Sequence, residues 1–315
     1  VPLSRADACD ARPPIGRRVA LALGDIKLAH SVFALPFAVL GAALVAPRDA
    51  GGSILWRDLS VMLALVGACM VFARTWAMLV NRVADARLDA ANPRTRGRAL
   101  ARGALSRRDA APILGACALA FVACTAFFGV LFANWWPLAL SVPVLAWIGF
   151  YSFTKRFTFL CHLFLGGALA ASPVAAAIAV DPGALAHAPG VFWIGAMVLC
   201  WVAGFDVIYA LQDLEHDRGA GLHSIPSRFG WRGAVFASRV LHLGALGALG
   251  AAWVASDRLG VLFGIGVLLT ASLLGVEHAV VSRRGARGIP VAFFTLNGVI
   301  SLVLGALGTL DALLE

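Results

Sequence analysis

The chain has 315 residues, 60% of them hydrophobic and 14% charged, with a mean hydropathy of +0.85 and a formal net charge of +9. A typical soluble domain carries about a quarter of its residues as charge. Too few polar side chains exist here to coat a water-facing surface, and an ordinary soluble enzyme is excluded. A disulfide scaffold is excluded too, because Cys9, Cys69, Cys117, Cys124, Cys161 and Cys200 have no framework spacing.

Residues 1–27 mix Arg5, Arg12, Arg17 and Arg18 with Asp7, Asp10 and Asp25, which is not the pattern of a cleavable leader. They are expected to form a cytoplasmic N-terminal segment, with Arg17–Lys27 a short helix lying in the membrane interface. A bilayer core of about 30 Å takes about 20 apolar residues per helix. On that scale the sequence predicts nine spans, at 28–46, 59–80, 110–132, 135–151, 161–180, 191–211, 234–254, 259–281 and 290–310. The expected fold is all-α: a polytopic integral membrane protein in which residues 28–315 form one domain of nine helices around a central cavity.

The basic residues test this topology. With the N-terminus cytoplasmic, 21 of the 26 Lys and Arg fall on the cytoplasmic side and only Arg48, Arg57 and Arg258 on the other, while Arg74 and Arg239 lie within spans. That asymmetry follows the positive-inside rule. The basicity therefore belongs to a lipid bilayer and not to nucleic acid, and an inner-membrane location is expected. The two longest internal loops, 81–109 and 212–233, are both cytoplasmic.

Acidic residues open each of these loops. Asn81, Asp85 and Asp89 in NRVADARLD recur every four residues, which stacks them on one helix face. Asp206, Asp213 and Asp217 in DVIYALQDLEHD also share a face if the segment is one helix, with Tyr209 a turn from Asp206 and Glu215 pointing away. Five aspartates facing one another at one side of a bilayer need neutralising. Carboxylates with a carboxamide are hard ligands suited to Mg²⁺ and a phosphate-bearing substrate; zinc is disfavoured, because neither HExxH nor paired CxxC occurs. Two acidic segments imply two Mg²⁺ sites.

Basic residues stand beside them: Arg94, Arg96, Arg98 and Arg102; Lys155 and Arg156 in YSFTKRFT; and Arg218, His223 and Arg228 in the loop containing GLHSIPSRFG. Such side chains can clamp a departing diphosphate, although Arg94 to Arg102 are equally explained as topological charge.

NRVADARLD and DVIYALQDLEHD resemble the two aspartate-rich motifs of the UbiA superfamily of intramembrane prenyltransferases, and YSFTKRFT and GLHSIPSRFG resemble other segments of that family. The resemblance implies an active site open to the cytoplasm and to lipid, in which Asn81, Asp85 and Asp89 hold one Mg²⁺ and Asp213 and Asp217 the other. It also implies that Asp206 and Tyr209 support the site, and that Tyr151, Lys155 and Arg156 face the diphosphate or the reacting carbon. Arg94, Arg98, Lys155 and Arg218 are the expected diphosphate ligands. Arg82 departs from the family, where an acid commonly follows the Asn, and His223 departs where Lys is common. The expected reaction is ionisation of a polyprenyl diphosphate and capture of the allylic cation by an aromatic acid, with Tyr151 offering its ring face to the cation. The expected acceptor is 4-hydroxybenzoate in quinone biosynthesis; the alternative is a dihydroxynaphthoate of the futalosine route to menaquinone. A cation-coupled transporter would place its acids deep within broken spans, whereas here they gather at one face.

Other features have plainer explanations. Gly244, Gly247 and Gly250 suit close helix packing, and Arg239, His242, Glu277 and His278 suit snorkelling or mutual pairing. Arg74, two turns before Asn81, is placed either to counter a carboxylate or to bond backbone.

Overall fold

A computed structural model describes residues 14–26 and 33–315. The chain is an all-α integral membrane protein. Among the described residues, eight segments are long and apolar enough to cross a bilayer, and the only β pairing is an isolated bridge between Arg48 and Ile54. In order come α1 (Ile15–Gly24), α2 (Leu35–Ala43), α3 (Trp56–Ala91), α4 (Arg107–Phe132), α5 (Trp136–Thr154) and α6 (Cys161–Val180). The short α7 (Ala184–His187) follows, then α8 (Gly190–Ala210), α9 (Leu214–Gly219), α10 (Ile225–Val254), α11 (Val261–Arg284) and α12 (Asn297–Leu314).

The eight long segments match the second to ninth expected spans. The first, 28–46, corresponds to the nine-residue α2; its residues 28–32 lie outside the described residues, as do 1–13 and 27 of the expected N-terminal segment. α2 begins with Pro36 in its first turn, where a missing N–H is harmless, and it is buried against α6 and α12. Apolar side chains gain little by leaving lipid for protein, so close packing joins the helices. Gly41 faces the Pro173 carbonyl and Gly305 faces Pro36 so closely that a Cβ at either would overlap its neighbour. α8 is the central helix, packed between α6 and α10, with Ile194, Val198, Trp201 and Val202 fully buried.

Three local departures shape one end of the bundle. The second acidic segment is not a single helix: α8 stops at Ala210, Leu211–Asp213 forms a 3₁₀ turn, and α9 carries Asp217. The tighter turn, three residues instead of 3.6, offsets Asp213 and Asp217 from the face expected of a continuous helix. Within α10, Gly230 adopts φ 69°, a left-handed conformation that breaks the helix and that glycine accepts without strain. Ahead of α12, Val291–Leu296 forms a wide π turn.

α1 matches the short helix expected near 17–27. Arg18 bonds Asp109 at 3.2 Å, and the Asp25 carboxylate just after α1 accepts the Ala99 N–H at 2.6 Å, so this segment docks on the first turn of α4 and on the loop before it. At the other end of the bundle, Arg258 lies near Arg48; burial and that like charge lower its pKa.

Candidate functional site

α3 runs eleven residues past the expected end of its span because NRVADARLDAA is rich in good helix formers. It stops at Asn92, extended at φ −91° and ψ 118° ahead of Pro93, a residue that disfavours helix in its predecessor. Asn81, Asp85 and Asp89 therefore occupy the last turns of a rigid helix. They line a cavity of about 1120 Å³ together with Asp206, Tyr209, Asp213 and Asp217. Away from this acidic rim the cavity continues between α3, α4, α5 and α6 over apolar groups such as Phe121, Phe128, Leu140 and Ile178. One cavity thus has a charged mouth and a greasy body.

The carboxylates do not crowd together. No group of three or more His, Cys, Asp or Glu side chains converges into a metal cage among the described residues. Instead the chain's own cations meet them. Asp85, 2% exposed, takes Lys155 Nζ at 3.1 Å on Oδ2 and Arg156 Nη2 at 2.7 Å on Oδ1. Asp89 receives Arg98 Nη1 on both oxygens, at 2.7 and 2.8 Å. Asp213 is gripped by Nε and Nη2 of Arg94 and by the Asn92 amide at 2.9 Å. Burial opposes the Arg94 charge, yet the bond to Asp213 holds its pKa above the ordinary guanidinium value. Each pair is charge-assisted, and those of Asp85 and Asp213 join elements distant in sequence.

The bases divide by direction. Arg94 and Arg98 line the cavity, whereas Arg96 and Arg102 do not and are exposed. Lys155 lines the cavity. Arg156 does not; it stands behind Asp85, donating also to the carbonyls of Ser152 and Ala84 at 2.8 and 3.0 Å. Arg218 is not brought to the cavity either. Its Nε donates to the Ser227 carbonyl, and it lines a separate surface depression with His223 and Arg228. The loop geometry explains this: Arg218 follows the inward Asp217 by one residue and points about 100° away.

Tyr151 and Tyr209 both line the cavity. The Tyr209 hydroxyl accepts from Arg94 Nη1 at 3.1 Å, and its ring packs 4.1 Å from that of Phe293, in the π turn. Arg82 is buried and donates to Asn81 Oδ1 at 2.7 Å, so this departure from the family pattern engages the carboxamide oxygen directly. Arg74 lines the cavity on the apolar side of Asn81.

Two polar residues of this site were not foreseen. Asn92 bridges to Asp213, and its Oδ1 also accepts the Arg94 N–H at 2.9 Å; the signal was an Asn before Pro at a helix end. His162, 2% exposed, lies 2.6 Å from Asp206 through Nδ1; the signal was a lone imidazole in the first turn of an apolar span.

The donor set suits a hard divalent cation. Asn81, Asp85, Asp89, Asp213 and Asp217 all line one cavity and bring carboxylate and carboxamide oxygens to it, the hard donors such a cation prefers. Their present partners Arg94, Arg98 and Lys155 have side chains a quarter to a third exposed, so these flexible arms can yield the carboxylates.

Comparison with known proteins identifies the family and the fold. A family model described as the UbiA prenyltransferase family matches residues 34–299. A protein named 4-hydroxybenzoate octaprenyltransferase from Hahella chejuensis is 30% identical over 234 residues, 73% of each chain. One of the same name from Shewanella amazonensis is 30% identical over 255 residues, covering 79% of this chain and 83% of the relative. Among solved structures, the apo form of a UbiA homolog from Aeropyrum pernix superposes with a TM-score of 0.77 at 32% identity, covering 91% of this chain and 99% of that one. A UbiA homolog from Archaeoglobus fulgidus bound to GPP and Mg²⁺ shares the fold, with a TM-score of 0.68 at 16% identity over 94% of this chain and 100% of that one.

Proposed function

Because this chain belongs to the UbiA prenyltransferase family, and is thus a prenyltransferase of the membrane, we propose that it moves a polyprenyl group from its diphosphate to 4-hydroxybenzoate, with Mg²⁺. The observation that carries this reading is the two-part cavity. Its acidic and basic rim matches a diphosphate with divalent metal, and its apolar body matches an isoprenoid chain. The relatives named for 4-hydroxybenzoate support the acceptor. So does Arg74, a guanidinium lining the cavity beside its apolar part, where a benzoate carboxylate needs a counter-charge.

In this reading Asn81, Asp85 and Asp89 hold one Mg²⁺, and Asp213 and Asp217 hold a second. Bound there, the metal supplies Lewis-acid charge to the diphosphate oxygens. Arg94, Arg98 and Lys155 leave their carboxylates to meet the diphosphate, whose negative charge grows as the allylic C–O bond breaks. Arg156 stays behind Asp85 and fixes its orientation. Tyr151 presents its ring to the allylic cation, and the surrounding helices keep bulk water from quenching it. The nucleophilic ring carbon then forms the new C–C bond, and loss of its proton restores aromaticity. Tyr209 keeps Arg94 in place.

The domain is taken as residues 28–315, preceded by a cytoplasmic segment, in the inner membrane with the rim toward the cytoplasm. The 21-to-3 distribution of Lys and Arg supports that orientation. In a cysteine-free background, Arg102→Cys and Ser53→Cys place thiols at exposed positions on opposite ends; an impermeant reagent added outside should label only the second. Labelling of the first alone would reverse the topology.

The deciding assay gives purified protein, Mg²⁺ and polyprenyl diphosphates to a panel of aromatic acids including 4-hydroxybenzoate and a dihydroxynaphthoate. Transfer to 4-hydroxybenzoate is the expected result. Transfer to the naphthoate alone would move the protein to the other pathway, and no transfer to any acid would overturn the proposal.

A further inference from the structure

The acids of the rim are not equivalent. Asp85, Asp89 and Asp213 are each engaged by a guanidinium or ammonium group, which occupies the oxygens that a proton would need. Asp206 is different. It sits two helical turns before Asp213, lines the cavity beside Phe205 and Val202, and its bonded partner is the imidazole of His162 at 2.6 Å. Its side chain is 21% exposed and that of His162 only 3%.

The second ring nitrogen of His162 is also engaged: Nε2 faces the Ile225 N–H at 3.4 Å. A backbone N–H can only donate, so Nε2 accepts and carries no proton. The ring proton therefore resides on Nδ1 and is donated to Asp206 Oδ2. That bond holds one carboxylate oxygen against the wall and leaves Oδ1 for the cavity. The loop that presents Ile225 to His162 is itself anchored, because the His223 N–H donates to the Lys155 carbonyl at 2.7 Å and ties the 220–225 loop to the end of α5, shortly before α6.

Resting on the function proposed above, we infer that Asp206 accepts the proton lost by the prenylated ring and that His162 is the positioning residue that aims it. When the ring carbon bonds the allylic carbon, its π pair becomes the C–C bond and the ring becomes cationic. The C–H bond then breaks, its electron pair returns to the ring, and the proton passes to Asp206 Oδ1. The diphosphate departs with the pair from the C–O bond. His162 touches no reacting atom in this scheme.

The test uses 4-hydroxybenzoate deuterated at the ring positions beside the hydroxyl. In the wild type, proton loss is fast and deuteration should not change kcat. His162→Ala should lower kcat by about 10²-fold, leave KM for the prenyl diphosphate unchanged, and make the deuterated acceptor slower than the protonated one. His162→Asn, whose amide N–H stands near the Nδ1 position, should restore most of the rate and remove the isotope difference. Independently of turnover, ¹⁵N-histidine spectra, assigned by the signal lost in His162→Asn, should show the proton on Nδ1. A proton on Nε2, an unchanged kcat in His162→Ala, or a slower variant without an isotope difference would each overturn the inference. An inactive wild type would remove the functional reading and this inference together, whereas an active wild type with isotope-silent variants removes this inference alone.

Discussion

Two regions of the bundle bury ionisable side chains, and they treat them in opposite ways. At the rim, carboxylates are matched by full positive charges on arms that reach partly into the open. Among α10, α11 and α12, Glu277 is 0% exposed and meets only the Asn297 amide at 3.1 Å, while Asn297 Oδ1 accepts from Trp201 at 2.7 Å and His242 lies 3.0 Å from His278. No strong opposite charge answers Glu277 there, and its Oε1 has no partner among the described residues. The rim opens on the cavity; none of Glu277, His242, His278 and Asn297 lines it. An intramembrane acid is a prompt to look for function, but access is what distinguishes a reactive group from a helix clamp.

Substitutions can break this contrast. Asp85→Ala or Asp213→Ala should lower prenyl transfer by about 10³-fold, read with a radiolabelled prenyl diphosphate, while the protein still elutes as a single species in detergent; near-normal turnover in both would place the chemistry elsewhere. Lys155→Ala should act less strongly, by about 10²-fold in kcat, because Arg156 still holds Asp85. In the interior the ranking should invert. Asn297→Ala strands both Glu277 and the Trp201 N–H and should cost about 1–3 kcal/mol in thermal unfolding with kcat unchanged. Glu277→Gln keeps the shape and can still bond Asn297, so neither melting nor turnover should shift measurably; a large loss of activity there would erase the distinction between the two regions.

Much of this was legible in the sequence because a bilayer enforces simple rules. Twenty apolar residues make a span, so the eight long segments fell where hydropathy put them. The spacing of Asn81, Asp85 and Asp89 survived because that segment is an uninterrupted helix. The second motif was less readable: nothing in DVIYALQDLEHD marks the 3₁₀ turn at Leu211–Asp213, which depends on packing against neighbouring elements. The paired acids were foreseen as a cluster demanding metal, whereas the loop carrying Arg94 and Arg98 folds back over them. Composition could not choose between an arginine marking topology and one reaching inward, because chain direction after Pro93 decides it. Arg218 was misplaced for the same reason.

The internal ion pairs carry a consequence for the life of the protein in the cell. Because Asp85, Asp89 and Asp213 arrive with counter-charges of their own, biogenesis does not have to wait for cations from the cytosol. Chelation should silence such an enzyme without unfolding it, leaving a dormant pool that revives when magnesium returns.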